Sequence, residues 1–94
     1  MKKNNIYTFI FEFDEGTFIR QENGLNLTEA RNSWIKNLVD EQGLNFKEKE
    51  FKKLNEHFEE FDFVRLADCI NVWCQTITLK RKLAIINVVK TVSD

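Results

Sequence analysis

Residues 7–13, YTFIFEF, place an aromatic ring at every second position, at Tyr7, Phe9, Phe11 and Phe13. A period of two is typical of a β-strand, in which alternate side chains point to the same face of the sheet. Four rings on one face offer either a platform for a stacking ligand or a core for helices to bury. Burial of each ring is worth about 1.5–3 kcal/mol, so we interpret this face as the core.

A hairpin is predicted directly after this strand. Asp14-Glu15-Gly16 reads as a three-residue loop in which the glycine takes a positive φ. This register places Phe13 opposite Thr17 and Phe11 opposite Ile19. A two-residue loop is the alternative, and we favour it less because it would mix the two faces of the hairpin.

Two amphipathic helices are predicted next. The first begins within the capping box Asn26-Leu27-Thr28-Glu29, with Asn26 as the N-cap, and is stopped by Gly43 as a left-handed C′ residue. The second begins with a second box, Asn45-Phe46-Lys47-Glu48. The short link between them predicts antiparallel neighbours. Each helix carries one apolar stripe. The stripes are Leu27, Ala30, Trp34 and Leu38 in the first helix and Phe51, Leu54, Phe58 and Phe61 in the second.

The period of two returns after Asp62. Residues 66–74 are predicted to form a third strand, with a bulge near Gln75-Thr76 where the alternation slips. Lys80-Arg81-Lys82 is predicted to be the tip of a second hairpin, and residues 83–92 are apolar on both faces, as in a central strand. The predicted fold is α+β, a ββααββ two-layer sandwich. Its four-stranded antiparallel sheet has both helices on one face and the first and fourth strands in the middle.

Composition limits the possible classes of protein. A length of 94 residues suits a single domain, residues 1–94. The net charge of −1 lacks the basic excess typical of proteins whose main task is to hold nucleic acid. No stretch approaches the ~20 apolar residues that span a bilayer. Two cysteines without an export signal predict free thiols and a cytoplasmic location.

Catalytic and metal-binding patterns are weak. Cys69 and Cys74, five positions apart on a predicted strand, point to opposite faces, and with His57 as the only histidine they provide too few ligands for zinc. No G-x-S-x-G, H-E-x-x-H, P-loop or dinucleotide-binding motif is present. We therefore predict no enzyme activity, no cofactor and no metal. A reactive thiol at Cys69 and general catalysis by His57 stay open as alternatives.

Two charged clusters have both a structural and a functional interpretation. The acidic residues that end the second helix are interpreted as a solvated surface, with attraction of a basic partner or a divalent metal site as the alternatives. The Lys80-Arg81-Lys82 tip is interpreted as a set of solubilising charges, with phosphate contact as the alternative. The acidic residues are Glu56, Glu59, Glu60 and Asp62.

The helices are expected to leave the other face of the sheet uncovered. Aromatic and aliphatic residues beside arginine and asparagine have the composition of an interface centre. We predict a contact surface for a protein partner or for a second copy in a homodimer, with burial under a terminus or loop as the alternative. The candidate residues are Ile10, Phe18, Arg20, Asn71 and Trp73, with Ile6 and Cys69 beside them.

Residues 7–38, YTFIFEFDEGTFIRQENGLNLTEARNSWIKNL, resemble the opening of the HicB antitoxin family. That family also begins with a strand, an acidic-Gly hairpin and a second strand. Its helix has a capping segment like Asn26-Leu27-Thr28-Glu29-Ala30. The family's Pro- and Gly-containing stretch is replaced here by Glu22-Asn23-Gly24-Leu25, and the second half of the chain differs. The whole chain looks more like one of the small bacterial α+β families of unknown function. The resemblance implies neutralisation of a toxin by direct binding and transfers no site residue.

These observations lead to two functional expectations. The first is a non-enzymatic protein-interaction module of bacterial type, inhibitor-, antitoxin- or immunity-like, that binds through the uncovered sheet face. The alternative is a nucleic-acid-binding domain that uses the same face and the Lys80–Lys82 tip.

Overall fold

The computed structural model describes residues 5–41 and 43–91 and has an α+β fold with an antiparallel sheet and two α-helices. Five strands form the sheet in the order β2-β1-β5-β4-β3, so the predicted number of four is wrong. The predicted first and fourth strands, β1 and β5, do lie side by side in the middle. Val92, the last residue of the predicted fourth strand, lies outside the described residues. The elements are β1 (Asn5–Phe13), β2 (Gly16–Gly24), α1 (Leu27–Asn37), α2 (Glu48–Glu60), β3 (Val64–Arg65), β4 (Val72–Leu79) and β5 (Lys82–Thr91).

The core lies between the aromatic face of β1 and the two helices. The Phe9 ring stacks on Trp34 of α1, with centroids 5.0 Å apart. It also meets the edge of Phe63, which packs on Phe58 of α2 at 4.9 Å. Both helices therefore cover the same face of the sheet, as predicted, and the four rings of β1 are buried as core rather than exposed as a stacking platform.

The β1–β2 hairpin has a shorter loop than predicted. Phe13 pairs with Gly16, so only Asp14 and Glu15 form the loop, and both have left-handed φ values, 50° and 65°. The predicted three-residue loop is therefore wrong. Because side chains alternate along a strand, the shift by one residue moves Phe18 to the helix-covered side of the sheet.

The loop conformation predicts a stabilising substitution. A two-residue loop with positive φ at both positions favours Asn-Gly, and a left-handed conformation costs other residues about 1–2 kcal/mol. Part of that gain is offset because glycine is also freer in the unfolded chain. We expect Glu15→Gly to raise the free energy of unfolding by about 0.5–1 kcal/mol in urea denaturation.

Thr17→Gly is the matched control, because Thr17 is exposed in the strand that leaves the same loop. Glycine within a strand weakens it, so this variant should lose about 0.5–1 kcal/mol. Equal losses in the two variants would show that Glu15 is not held in the left-handed region.

The first helix begins as predicted and ends earlier. Asn26 is the N-cap, and its Oδ1 accepts a hydrogen bond from the backbone N–H of Glu29 at 2.9 Å. A Cβ at Gly24 would lie 2.9 Å from the backbone nitrogen of Ala30, so glycine permits the close approach of α1 to β2. The helix gives way to a 3₁₀ turn at Leu38–Asp40. Gly43, with φ of 95°, lies in the following turn, so the predicted end at Gly43 is wrong.

The second helix begins two residues later than its predicted capping box. Lys47 is the N-cap, and its backbone N–H donates to Oε1 of Glu50 at 2.8 Å. Glu50 therefore acts as the N3 residue of the box and is buried in this role. Asn45 has a φ of 53° and belongs to the turn between the helices.

Residues 66–71, the first part of the predicted strand 66–74, form the connection between β3 and β4 instead. The short strand β3 pairs with the start of β4, and the chain reverses between them. Asp68 and Asn71 take left-handed φ values of 62° and 68°, which Asp and Asn tolerate better than most residues. The predicted bulge near Gln75-Thr76 is also wrong, because β4 pairs with β5 in one unbroken register.

Candidate functional site

The five residues predicted to share the uncovered face do not lie together. Ile10 faces the uncovered side of β1, whereas Asn71 belongs to the turn before β4. Phe18 and Trp73 are partly buried against the core, on the side that the helices cover. Arg20 shares that side of β2 with Phe18, because both have even numbers in the same strand. The predicted grouping is therefore wrong. One reason is the two-residue hairpin loop, which moves Phe18 and Arg20 to the side that the helices cover.

Trp73 faces the helices because β4 contains no bulge. It lies opposite the buried Val88 of β5 and contacts the ring of Tyr7, with centroids 6.2 Å apart. Burial raises the pKa of the Tyr7 phenol above its ordinary value of 10.0, although a hydrogen bond with Asn5 offsets part of this rise. Tyr7 therefore belongs to the core, and Trp73 packs against it.

Arg20 belongs to a polar cluster between β2 and the end of α1. Its Nη1 donates to Oε1 of Glu41 at 3.2 Å, and its Nε donates to Oε2 of Glu22 at 3.4 Å. Glu22 is buried and also accepts from Nδ2 of Asn37 at 3.0 and 3.2 Å. Desolvation lowers the pKa of Arg20, but the hydrogen bonds to Glu41 and Glu22 outweigh it, and the pKa is raised. This cation already has two carboxylate partners and is poorly suited to binding an anion.

The side of the sheet opposite the helices, here called the open face, combines aliphatic side chains with uncharged polar ones. Across its middle, Ile19, Ile10, Asn87 and Cys74 form one cross-strand row. The side chain of Ile19 at one edge is 60% exposed. Polar neighbours are mostly Thr, Asn and Gln, and the single charged side chain among the described strand residues of this face is Glu12. The apolar side chains are Ile6, Ile10, Ile19, Val64, Val72, Cys74, Leu83, Ile85 and Val89.

Sequence reasoning missed two exposed members of this face. The predicted three-residue loop places Ile19 on the opposite side, and Val64 falls in a strand that the sequence pattern does not predict. The signal for Ile19 is Asp14, because Asp tolerates a left-handed φ better than most residues and so permits a two-residue loop. One side of β5 was expected to contribute, and Leu83 and Ile85 do so.

The residues considered for chemistry lie apart. Cys69 is exposed in the turn and Cys74 is half-buried on the open face, and neither forms a disulfide. The predicted placement of Cys69 on a strand is therefore wrong. The ring of His57 packs against Phe58 and Phe61 at 5.4 and 5.1 Å. Within residues 5–41 and 43–91, no group of three or more His, Cys, Asp or Glu side chains could hold a metal ion.

Among the helices that the structure describes, none combines the length and apolar character needed to span a membrane. The resemblance of residues 7–38 to the HicB family stays a prediction. Comparison with known proteins found no family model, no curated protein and no solved structure that matches the chain.

Proposed function

We propose that this protein is a non-enzymatic protein-interaction module whose open face binds a second copy of the chain in a homodimer. The observation that supports the proposal is the nearly uncharged surface across β2, β1, β5 and β4, which neither helix covers and on which Ile, Val and Leu side chains alternate with Thr, Asn and Gln. Apolar side chains that cluster on an exposed face often mark contact sites.

The dimensions of the open face suit a protein–protein interface. The central strands have nine and ten residues, which at ~3.3 Å per residue gives a length of ~30 Å. Four strands ~4.8 Å apart give a width of ~19 Å. The projected area is therefore about 570 Å², before side-chain relief and the rim are added. A standard interface buries about 800 Å² per partner.

The lack of charge on the open face favours a second copy over a charged partner. Glu12 is the one charged side chain among its described residues and lies near the hairpin end of β1. Two identical neutral faces related by a two-fold axis can pack without burying unpaired charges. Face-to-face packing of two sheets at about 10 Å is a common way to form such a core.

Two other ligands have less support. A different protein, as expected for an inhibitor or antitoxin-like module, would fit the apolar surface but is not indicated by any charge pattern there. A nucleic acid on this face would lack cations for its phosphates and exposed aromatic rings for its bases. The face in question carries neither among the described residues.

The homodimer can be tested by charge insertion into the open face. Ile19 and Leu83 are each 60% exposed, so Ile19→Lys with Leu83→Lys should leave the fold intact. We expect the unmodified protein to have the mass of two chains in light scattering at about 100 µM, which an interface of ordinary micromolar affinity would fill. The double variant should have the mass of one chain.

Val39→Lys with Phe61→Lys is the matched control, because both side chains are exposed and apolar but belong to the helical layer. It adds the same two charges and should remain dimeric. A monomeric unmodified protein, or a dimer that survives lysines at positions 19 and 83, would overturn the proposal. A monomeric unmodified protein would indicate that a different protein binds the open face.

A further inference from the structure

The β4–β5 hairpin and the start of α2 enclose a shallow groove of about 330 Å³. Four cationic side chains line it, two from each element. Lys49 and Lys53 lie one turn apart on α2, and Lys80 and Arg81 form the hairpin loop. We call this site the basic groove. Glu50 and Leu79 complete its lining.

The hairpin loop holds two cations and not the predicted three. Leu79 pairs with Lys82, so Lys82 already belongs to β5. Its Nζ lies 2.6 Å from Oδ1 of Asp14, so Lys82 already has a carboxylate partner. Lys80 and Arg81 alone form the tip and face the basic groove.

The cations of the basic groove have no carboxylate partner among the described residues. Lys52, which lies next to them on α2, does have one, because its Nζ is 3.9 Å from Glu56. Glu50, the one acid in the lining, is buried and accepts the backbone N–H of Lys47 at 2.8 Å. Four positive charges therefore face one carboxylate that is already engaged by the start of the helix.

Two further contacts fix the shape of the basic groove. The Nζ of Lys80 donates to the backbone carbonyl of Asn45 at 3.0 Å and lies 5.8 Å from the ring centroid of Phe46. Lys80 and Arg81 have φ values of 50° and 66°, where Asn and Gly are favoured. Backbone conformation alone therefore does not explain why Lys and Arg occupy positions 80 and 81.

We propose that the basic groove binds a chain of two or more adjacent phosphate groups. Ammonium and guanidinium groups that lack a carboxylate partner are the side chains that recognise phosphate. Four cations exceed what one phosphate can neutralise. No aromatic side chain lines the groove, so recognition is of the phosphates and not of bases. The phosphates can come from a nucleic-acid backbone or from free polyphosphate.

Salt dependence gives a quantitative test. A fluorescent single-stranded oligothymidylate that contacts four cations should lose affinity with a slope of about −3 in log K against log salt. Lys53→Gln with Arg81→Gln removes two of the contacts and should reduce the slope to about −1.5. Lys49→Gln with Lys53→Gln, which leaves the hairpin unchanged, should have the same effect.

Lys36→Gln with Lys52→Gln is the control, because it removes two exposed cations that lie outside the basic groove. It should keep the slope near −3. Equal weakening by the control and groove variants would overturn the proposal, since the effect would then reflect net charge. Absence of binding of the oligothymidylate and of inorganic tripolyphosphate at 20 mM salt would also overturn it.

Inorganic tripolyphosphate identifies the source of the phosphates. Displacement of the oligothymidylate by tripolyphosphate would support a site for phosphate groups from either source, if the groove variants lose this displacement. Binding of tripolyphosphate alone would support a small polyphosphate ligand.

The basic groove lies away from the open face, so the groove variants should leave the mass in light scattering unchanged. Failure of one proposal is therefore distinguishable from failure of the other.

Discussion

Replacing Trp34 with alanine should lower the free energy of unfolding by about 3–5 kcal/mol, the range for truncation of a large aromatic core residue. Trp34 is fully buried, stacks on Phe9 at 5.0 Å and meets Phe11 edge-on at 5.5 Å. It therefore joins α1 to the two central rings of β1. A domain of this size has a total stability of about 5–15 kcal/mol, so the variant should be largely unfolded in mild urea.

Trp34→Phe separates packing from polarity at the same position. The indole Nε1 is buried and has no hydrogen-bond partner among the described residues, and burial of an unpartnered donor costs about 1–3 kcal/mol. Phenylalanine removes that donor and leaves a smaller cavity than alanine, so we expect a loss of no more than about 1–2 kcal/mol. Urea denaturation followed by circular dichroism measures both variants.

Trp73→Phe is the companion control, because Trp73 is only half-buried on the same face of the sheet. Its loss should be about 1 kcal/mol or less. If Trp34→Phe proved as damaging as Trp34→Ala, ring packing would not explain the stability contributed by Trp34.

Replacing Glu22 with alanine is the second large expected effect, a loss of about 1–3 kcal/mol in the free energy of unfolding. Glu22 lies on β2 and is 7% exposed. It accepts from the side-chain amide of Asn37, the last residue of α1, and pairs with Arg20 at 3.4 Å. Truncation leaves two donors without this acceptor in a partly buried place, and α1 loses a tie to the sheet.

Glu41→Ala is the matched control, since it also removes one negative charge and one partner of Arg20. The side chain of Glu41 is more exposed than that of Glu22, and such pairs typically contribute about 0–1 kcal/mol. Urea denaturation at low salt and at 0.5 M salt compares the two variants. The loss at Glu22 should persist at high salt because burial limits screening. Equal losses at both positions would argue against a specific role for the buried carboxylate.

The layers of the fold were predictable because many residues contribute to each periodic signal. The rings of β1 and the stripe that contains Trp34 each bury large apolar areas, so one misplaced residue does not change the outcome. The hairpin register was not predictable in this way. It depended on whether Gly16 or Asp14 and Glu15 took the left-handed conformations, a difference of about 1 kcal/mol per residue. That small difference decides the face on which Arg20 lies.

The candidate surfaces differ in how far the sequence could define them. An uncovered sheet face follows from having two helices and one sheet, and this much was predicted. Its membership was not, because Trp73 moves to the covered face once the predicted bulge is absent. The basic groove requires Lys53 and Arg81 to meet, and they are far apart in the sequence. Only the packing of α2 beside the β4–β5 hairpin brings them together.

The neighbouring positions of β1 and β5 determine when this domain can be completed during synthesis. The first hairpin can form early, but the strand that pairs with the other edge of β1 is the last of the five strands to be synthesised. Until then the aromatic rings of β1 are incompletely buried, and the nascent chain exposes an apolar surface that favours aggregation. We expect chains that stop before Lys82 to bind chaperones and to aggregate in a co-translational pull-down, whereas chains that include β5 escape once it inserts between β1 and β4.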